Sequence, residues 1–242
     1  MTLSSEARPI SSNGDSIESS SACWSCGAVL SSAGLTCGVC GHVQPLSSEV
    51  NYFEVFGLPR KLRLDVPALE REFYRLSRRL HPDVYARASQ QEQEWSLAAS
   101  SLLNDAYRTL KDPIRRTEYL LKLEGIVSGD EGGTKKEDRV PADLLEEVFE
   151  LNTQLDEMRM NRKAGEDGGQ LHQDLLAAKR GFDAQLKSAD LTLETLWTRW
   201  DESVDSGDEQ SKLAAKDALA SLLDRRRYIR NLVNSVNEAL GA

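Results

Sequence analysis

The chain has 242 residues, 40% hydrophobic, 29% charged and only 6% aromatic, which is enough for one large domain or two small ones with real cores. With 16 Gly and 7 Pro, this composition suits helices better than a β-sandwich and excludes collagen-like and wholly disordered classes; no apolar run approaches the roughly 20 residues of a membrane span. The net charge of −9 argues against general nucleic-acid binding, but residues 51–126 hold 13 bases against 11 acids, a local surplus suited to an acidic partner.

Residues 1–22 contain 8 Ser, a single Arg, and Glu6, Asp15 and Glu18. They predict a disordered polar tail, lacking the apolar stretch of a secretory signal and too acidic for a typical mitochondrial presequence. This favours the cytoplasm, with the mitochondrial matrix as the alternative. All 4 cysteines follow in two Cys-x-x-Cys pairs, Cys23/Cys26 and Cys37/Cys40. Each tight turn aims backbone N–H groups at its sulfurs, and Gly27 and Gly41 after each second Cys supply the backbone angles such turns need. Four thiolates in tetrahedral array suit a closed, structural zinc site, with a rubredoxin-like iron as the minor alternative. Disulfides and unconnected thiols are the bland readings, and a reducing compartment disfavours the first. His42 falls outside the ligand set, and residues 44–48 read as a short linker.

From Tyr52 to Gly125 the pattern is helical. Gly57-Leu58-Pro59 ends a first short element. Asp65 is a candidate N-cap with Pro67 in the first turn, and Leu69, Phe73, Leu76 and Leu80 fall at helical spacing. Arg71, Arg75, Arg78 and Arg79 gather on another face. Pro82 disfavours helical geometry at His81, so this helix stops near Leu80. A second helix is predicted over about 90–110 with Leu102, Ala106 and Leu110 facing the first, and a third over 113–124. The result is an antiparallel hairpin with an exposed His81-Pro82-Asp83 in its loop. As a catalytic dyad His81 and Asp83 read poorly: the intervening proline is expected to direct their side chains apart, and no nucleophile adjoins.

Residues 126–140 form a polar, Gly-containing connection, and Pro141 opens a second helical region with breaks near 163–170 and 203–208. Leu144, Val148, Leu151, Leu155 and Met158 step by four and three, a complete core stripe. Two further stripes, one from Leu175 to Trp197 and one from Leu222 to Leu240, complete an antiparallel bundle. Leu145 and Phe149 lie off the first stripe, and Tyr228 sits off the last beside Arg225, Arg226 and Arg227. By base rate they widen the core. Their functional reading is an exposed apolar patch with an Arg/Tyr rim.

Tyr52-Phe53, Gly57-Leu58-Pro59, the arginine-bearing helix, His81-Pro82-Asp83 and the run Leu103-Asn104-Asp105-Ala106-Tyr107 through Asp112-Pro113 resemble a J-domain in order and spacing. Arg116-Thr117-Glu118-Tyr119-Leu120-Leu121 with Gly125 resembles, more narrowly, the HscB/Jac type of iron–sulfur co-chaperone. The cysteine module resembles an N-terminal extension of some members. The resemblance implies a mainly α chain: a tail (1–22), a four-cysteine zinc-ribbon or knuckle module (23–46), a J-domain (51–125), a linker (126–140) and a C-terminal three-helix bundle (141–242). It implies that His81, Pro82 and Asp83, with Arg71, Arg75, Arg78 and Arg79, contact a DnaK/HscA-type chaperone and stimulate its ATPase. It also implies that the bundle holds an IscU-type scaffold through Leu145, Phe149, Glu150, Arg227 and Tyr228. Glu146 and Thr153 depart from the Met and Glu frequent in relatives. No enzyme activity is expected, since no constellation in the sequence converges on a nucleophile or open metal, and ATP hydrolysis in particular would want a phosphate loop that the chain lacks. Self-association stays open. The alternatives are a general J-protein, disfavoured by the lack of a Gly/Phe-rich segment, and a zinc-dependent nucleic-acid binder, disfavoured by the acidic module.

Overall fold

The computed structural model describes residues 22–30, 34–47, 50–126, 142–164 and 169–241. Residues 1–21 of the expected tail, most of the expected linker and Pro141 lie outside them. Among the described residues seven α-helices follow one another: α1 (Tyr52–Val55), α2 (Val66–Leu80), α3 (Gln90–Lys111), α4 (Pro113–Leu123), α5 (Leu145–Ala164), α6 (Gly169–Ser206) and α7 (Glu209–Leu240). Short 3₁₀ turns cover Pro82–Tyr85 and Ala142–Leu144. Among the described residues no strand forms beyond two isolated bridges, Ala22 with Val29 and Thr36 with Val43, and no helix is long and apolar enough to cross a membrane.

Local chemistry sets the helix ends. Asp65 caps α2 by accepting from the N–H of Ala68. Ser89 and Glu92 form a reciprocal capping box on α3, and Asp112 caps α4 ahead of Pro113. Pro82 holds His81 at ψ 131°, outside the helical region, and α2 stops there as expected. At the α6–α7 corner Gly207 takes φ +69°, a left-handed angle that favours glycine, and Asp208 caps the next helix.

Helices α2 and α3 are antiparallel: the Leu80 carbonyl meets the hydroxyls of Ser96 and Ser100, while Phe73 stacks on Tyr107 at 4.2 Å. Leu69, Leu76 and Leu80 are buried. On α3 the buried set is Ala99, Leu103, Ala106 and Leu110, with Leu102 only packed at the margin. The seam turns by one residue because α3 meets α1 and α4 as well as α2.

In the C-terminal region, Gln185 on α6 reaches Glu147, and Arg226 on α7 reaches Asp190. Asp143 meets Arg225, and Arg162 reaches the Ala239 carbonyl. These pairs make α5 antiparallel to α6 and parallel to α7. Leu144, Val148, Leu151 and Leu155 are buried, with Met158 at the edge. They form a small core with Leu175, Phe182, Ile229 and Val236.

The far ends of α6 and α7 belong to a larger core. Leu193, Leu196, Trp200, Leu219 and Leu223 pack with Phe53, Leu62, Leu80, Leu103, Leu110 and Leu120 of the hairpin region. Polar ties lock this junction. Trp200 Nε1 donates to the Arg60 carbonyl, and the N–H groups of Leu62 and Arg63 donate to the Asp201 carboxylate at 2.7 and 3.0 Å. Trp197 Nε1 donates to Thr117 Oγ1 at 2.9 Å, and Lys61 pairs with Asp205. Helix α6 therefore runs to Ser206, into the break expected near 203–208, and clamps the 60–64 loop.

Candidate functional site

Two similar turns build the cysteine cluster. Cys23 N–H donates to Ala28 O and Gly27 N–H to Cys23 O; Cys37 N–H donates to His42 O and Gly41 N–H to Cys37 O. Gly27 and Gly41 adopt φ +72° and +79°, which L side chains rarely take. The four sulfurs lie within 4.8 Å of one another. Cys23 and Cys40 are 3.6 Å apart, Cys26 and Cys37 3.7 Å. A metal–sulfur bond of about 2.3 Å gives a tetrahedron edge of about 3.8 Å. The spacing thus fits one ion, and it is far too long for disulfides.

The thiols are set against one another. Burial raises Cys23, yet N–H groups of Cys26 and Ser25 and the neighbouring sulfurs bring it down to about 6. Cys37 is lowered, chiefly by the N–H groups of Cys40 and Val39. Cys26 goes to about 12: the Ala28 N–H favours its thiolate, but the sulfurs of Cys40, Cys23 and Cys37, with burial, outweigh that help. Four thiolates this close repel unless a cation lies among them, so the donor set calls for one. It is closed to substrate, and the ion's chemistry there is to hold shape.

Gln44, read as linker, is instead part of this site. It is buried, and its Nε2 donates to Cys23 Sγ at 3.3 Å and to His42 O at 2.9 Å. Folding the second turn back through Thr36 and Val43 carries Gln44 under Cys23, which residue spacing alone does not reveal. His42 is exposed and meets Trp24 edge-on, outside the ligand set as expected. Trp24 donates its Nε1 to Val43 O and packs at 5.7 Å on Trp95 of α3. Leu35 and Val43 enter the large core together with Tyr85.

Tyr85 ends the turn that carries His81, Pro82 and Asp83. All three are exposed, while Tyr85 is buried beneath them and Ser96 and Ser100 hold the preceding carbonyl. The proline does not separate the two polar side chains. His81 Nδ1 accepts the Asp83 N–H at 3.2 Å and stands 3.5 Å from the Asp83 carboxylate. The 3₁₀ turn brings residue i+2 back over the ring, a geometry the dipeptide reading missed. The acceptor role of Nδ1 leaves Nε2 as the donor of the neutral ring. The side chains of His81 and Asp83 are 56% and 91% exposed. Arg71, Arg75, Arg78 and Arg79 are exposed along α2, with Arg75 Nε donating to Glu72 at 2.7 Å. That hydrogen bond holds the Glu72 carboxyl below the usual range.

On α5, Leu145 is 54% and Phe149 76% exposed, with Glu150 exposed beside them. The bland reading of both apolar residues as core fails: the stripe through Leu144 and Val148 already covers the partner helices. The α7 residues divide. Arg227 turns toward the hairpin region, 3.7 Å from Glu118, and Tyr228 packs half-buried against the small core. Arg225, in the sequence only part of the Arg/Tyr rim, is the α7 residue that reaches Asp143, two positions before Leu145.

No protein-family model matches the chain. A Vibrio cholerae co-chaperone protein HscB homolog is 43% identical over 107 residues, 44% of this chain and 60% of that protein. The mouse iron-sulfur cluster co-chaperone protein HscB is 28% identical over 217 residues, covering 88% of this chain and 80% of its own length. The solved structure of chaperone HscB from Vibrio cholerae superposes with a TM-score of 0.51 at 30% identity, over 78% of this chain and 96% of that one. At 30% identity over 96% of a solved HscB chain, and with the mouse protein matched over 88% of this one, the chain belongs to the HscB family.

Proposed function

We propose that the chain is an iron–sulfur cluster co-chaperone. It engages a DnaK/HscA-type ATPase through His81, Pro82 and Asp83, flanked by Arg71, Arg75, Arg78 and Arg79. It presents an IscU-type scaffold on Leu145, Phe149 and Glu150, with Arg227 and Tyr228 of α7 as the further contacts that the family resemblance implies. Zinc is the ion that the four thiolates suit best, as a structural element. The chain breaks no bond itself. It raises the local concentration of scaffold at the chaperone by binding both. A general J-protein would need a broad client groove, and Leu145 with Phe149 is a compact patch.

One observation carries the reading: the His81–Asp83 turn and the Leu145/Phe149 patch are both exposed, and both are mounted on packed helices. Arginines on α2 suit an acidic surface, an attraction that salt weakens. The test is an ATPase assay with purified chaperone and scaffold. His81→Gln is expected to drop stimulation to the unstimulated rate while scaffold affinity stays at the wild-type value. Leu145→Ala with Phe149→Ala is expected to keep direct stimulation and to weaken scaffold binding at least about tenfold, a loss of about 1.4 kcal/mol. Full stimulation by His81→Gln, or wild-type affinity of the double variant, overturns the reading.

A further inference from the structure

Beside the Leu145/Phe149/Glu150 face, α5 and α6 enclose a groove of about 510 Å³. Glu147, Glu150 and Asp174 line it, and no lysine or arginine does among the described residues. Two of these carboxylates are held in place: Gln185 donates to Glu147 at 2.8 Å and Gln170 to Asp174 at 2.9 Å. Within the groove the Oε1 of Gln154 is buried with no donor. The three carboxylates and the Gln154 oxygen thus all offer lone pairs.

The floor contains Gly181, exposed in the middle of α6. A Cβ built on it meets nothing within 4 Å, and its backbone angles are ones any residue adopts. Nothing inside the chain demands glycine there, although glycine weakens a helix interior relative to alanine. Its absent side chain keeps the groove open above the buried Phe182.

We propose that this groove receives a lysine- or arginine-bearing segment of the scaffold protein that binds the neighbouring face; the inference rests on the reading given above. Glu150 belongs to both surfaces, so one partner laid on Leu145 and Phe149 continues into the groove without a break. Its cation meets three carboxylates and an amide oxygen that lacks a donor, and its stem lies over Gly181.

Titration calorimetry with the full chain and a purified IscU-type scaffold, at low and high salt, tests this. Wild-type affinity is expected to fall as salt rises. Gly181→Leu fills the floor and is expected to weaken binding at least tenfold, with helical content by circular dichroism unchanged. Glu147→Lys with Asp174→Lys, both on a solvated rim, is expected to weaken binding at least tenfold and to flatten the salt dependence. This second variant decides the matter if the leucine unsettles the helix. Wild-type binding by these variants, while Leu145→Ala with Phe149→Ala still loses affinity, overturns the groove and leaves the scaffold face standing. Wild-type binding by Leu145→Ala with Phe149→Ala removes the face, and the groove's role with it.

Discussion

The exposed turn at His81 and the exposed face at Leu145 are built by opposite means. At the turn, polar groups fix the geometry: two hydroxyls grip the Leu80 carbonyl, the Asp83 N–H binds the His81 ring, and buried Tyr85 pins the exit. On α5, nothing holds the patch but the helix under it. Its two apolar side chains stand out because Leu144, Val148, Leu151 and Leu155 already fill the small core. In the proposed reading the first surface is recognised by hydrogen bonds and charge, and the second is dried by a partner. The turn leans on the large core and the metal module, and the α5 patch leans on neither.

Taking the metal away should break that comparison most sharply. Without an ion the sulfurs repel, and the short module has no core of its own to hold it. Leu35 and Val43 then leave the large core, each a loss of about 1.5–3 kcal/mol. A chelator, or Cys37→Ser with Cys40→Ser, is expected to lower the melting temperature and erase the near-ultraviolet signal of Trp24 against Trp95. It should also weaken chaperone stimulation through Tyr85 while scaffold affinity holds. An equal loss at both surfaces would mean that the module supports the whole molecule.

A cut through the shared mount should be next in size. Trp200 is fully buried where the 60–64 loop meets α6, and its Nε1 satisfies the Arg60 carbonyl. Trp200→Ala is expected to cost roughly 3–5 kcal/mol in urea unfolding. One cooperative transition, shifted down, is the expected form. Two separated transitions would show that the small core around α5 melts independently of the hairpin.

Much of this was legible in the chain. The period of apolar residues and the cap at Asp65 placed the helices within a few residues, and two Cys-x-x-Cys pairs announced the cysteine cluster. A stripe complete without Leu145 and Phe149 offered their exposure as one reading, against the base rate that such residues widen the core. Less legible were contacts between residues distant in sequence. Asp201 reads as one more charge on a long helix, yet it accepts from backbone groups some 139 residues earlier. Gln44 gave no signal at all, because its role depends on how the second knuckle folds beneath the first. The spacing of Trp197 and Trp200, on one helical face in a chain poor in aromatics, was the one available hint of the junction. The His81–Asp83 approach was misread because a 3₁₀ turn, not an extended Pro dipeptide, carries them.

Asp201 offers the smallest and finest probe of how the large core is tied to the helix it shares with the bundle. Its carboxylate accepts the N–H groups of Leu62 and Arg63, so Asp201→Ala removes both bonds. Part of that loss is made good by water, since Arg63 is exposed, and about 1–2 kcal/mol of stability at pH 7 is the expected cost. The pH dependence carries more information. Burial pushes the carboxyl above its ordinary 3.8, with the two N–H groups pulling the other way. A raised value in the fold means that the folded protein binds this proton more readily than the unfolded chain. The stability linked to it is complete below the ordinary value and lost as pH rises through the raised one. Compared at pH 7 and pH 4.5 by urea unfolding, the deficit of Asp201→Ala should therefore grow on acidification. A deficit that shrinks would show that the ionised carboxylate, favoured by its two N–H partners, outweighs burial at this junction.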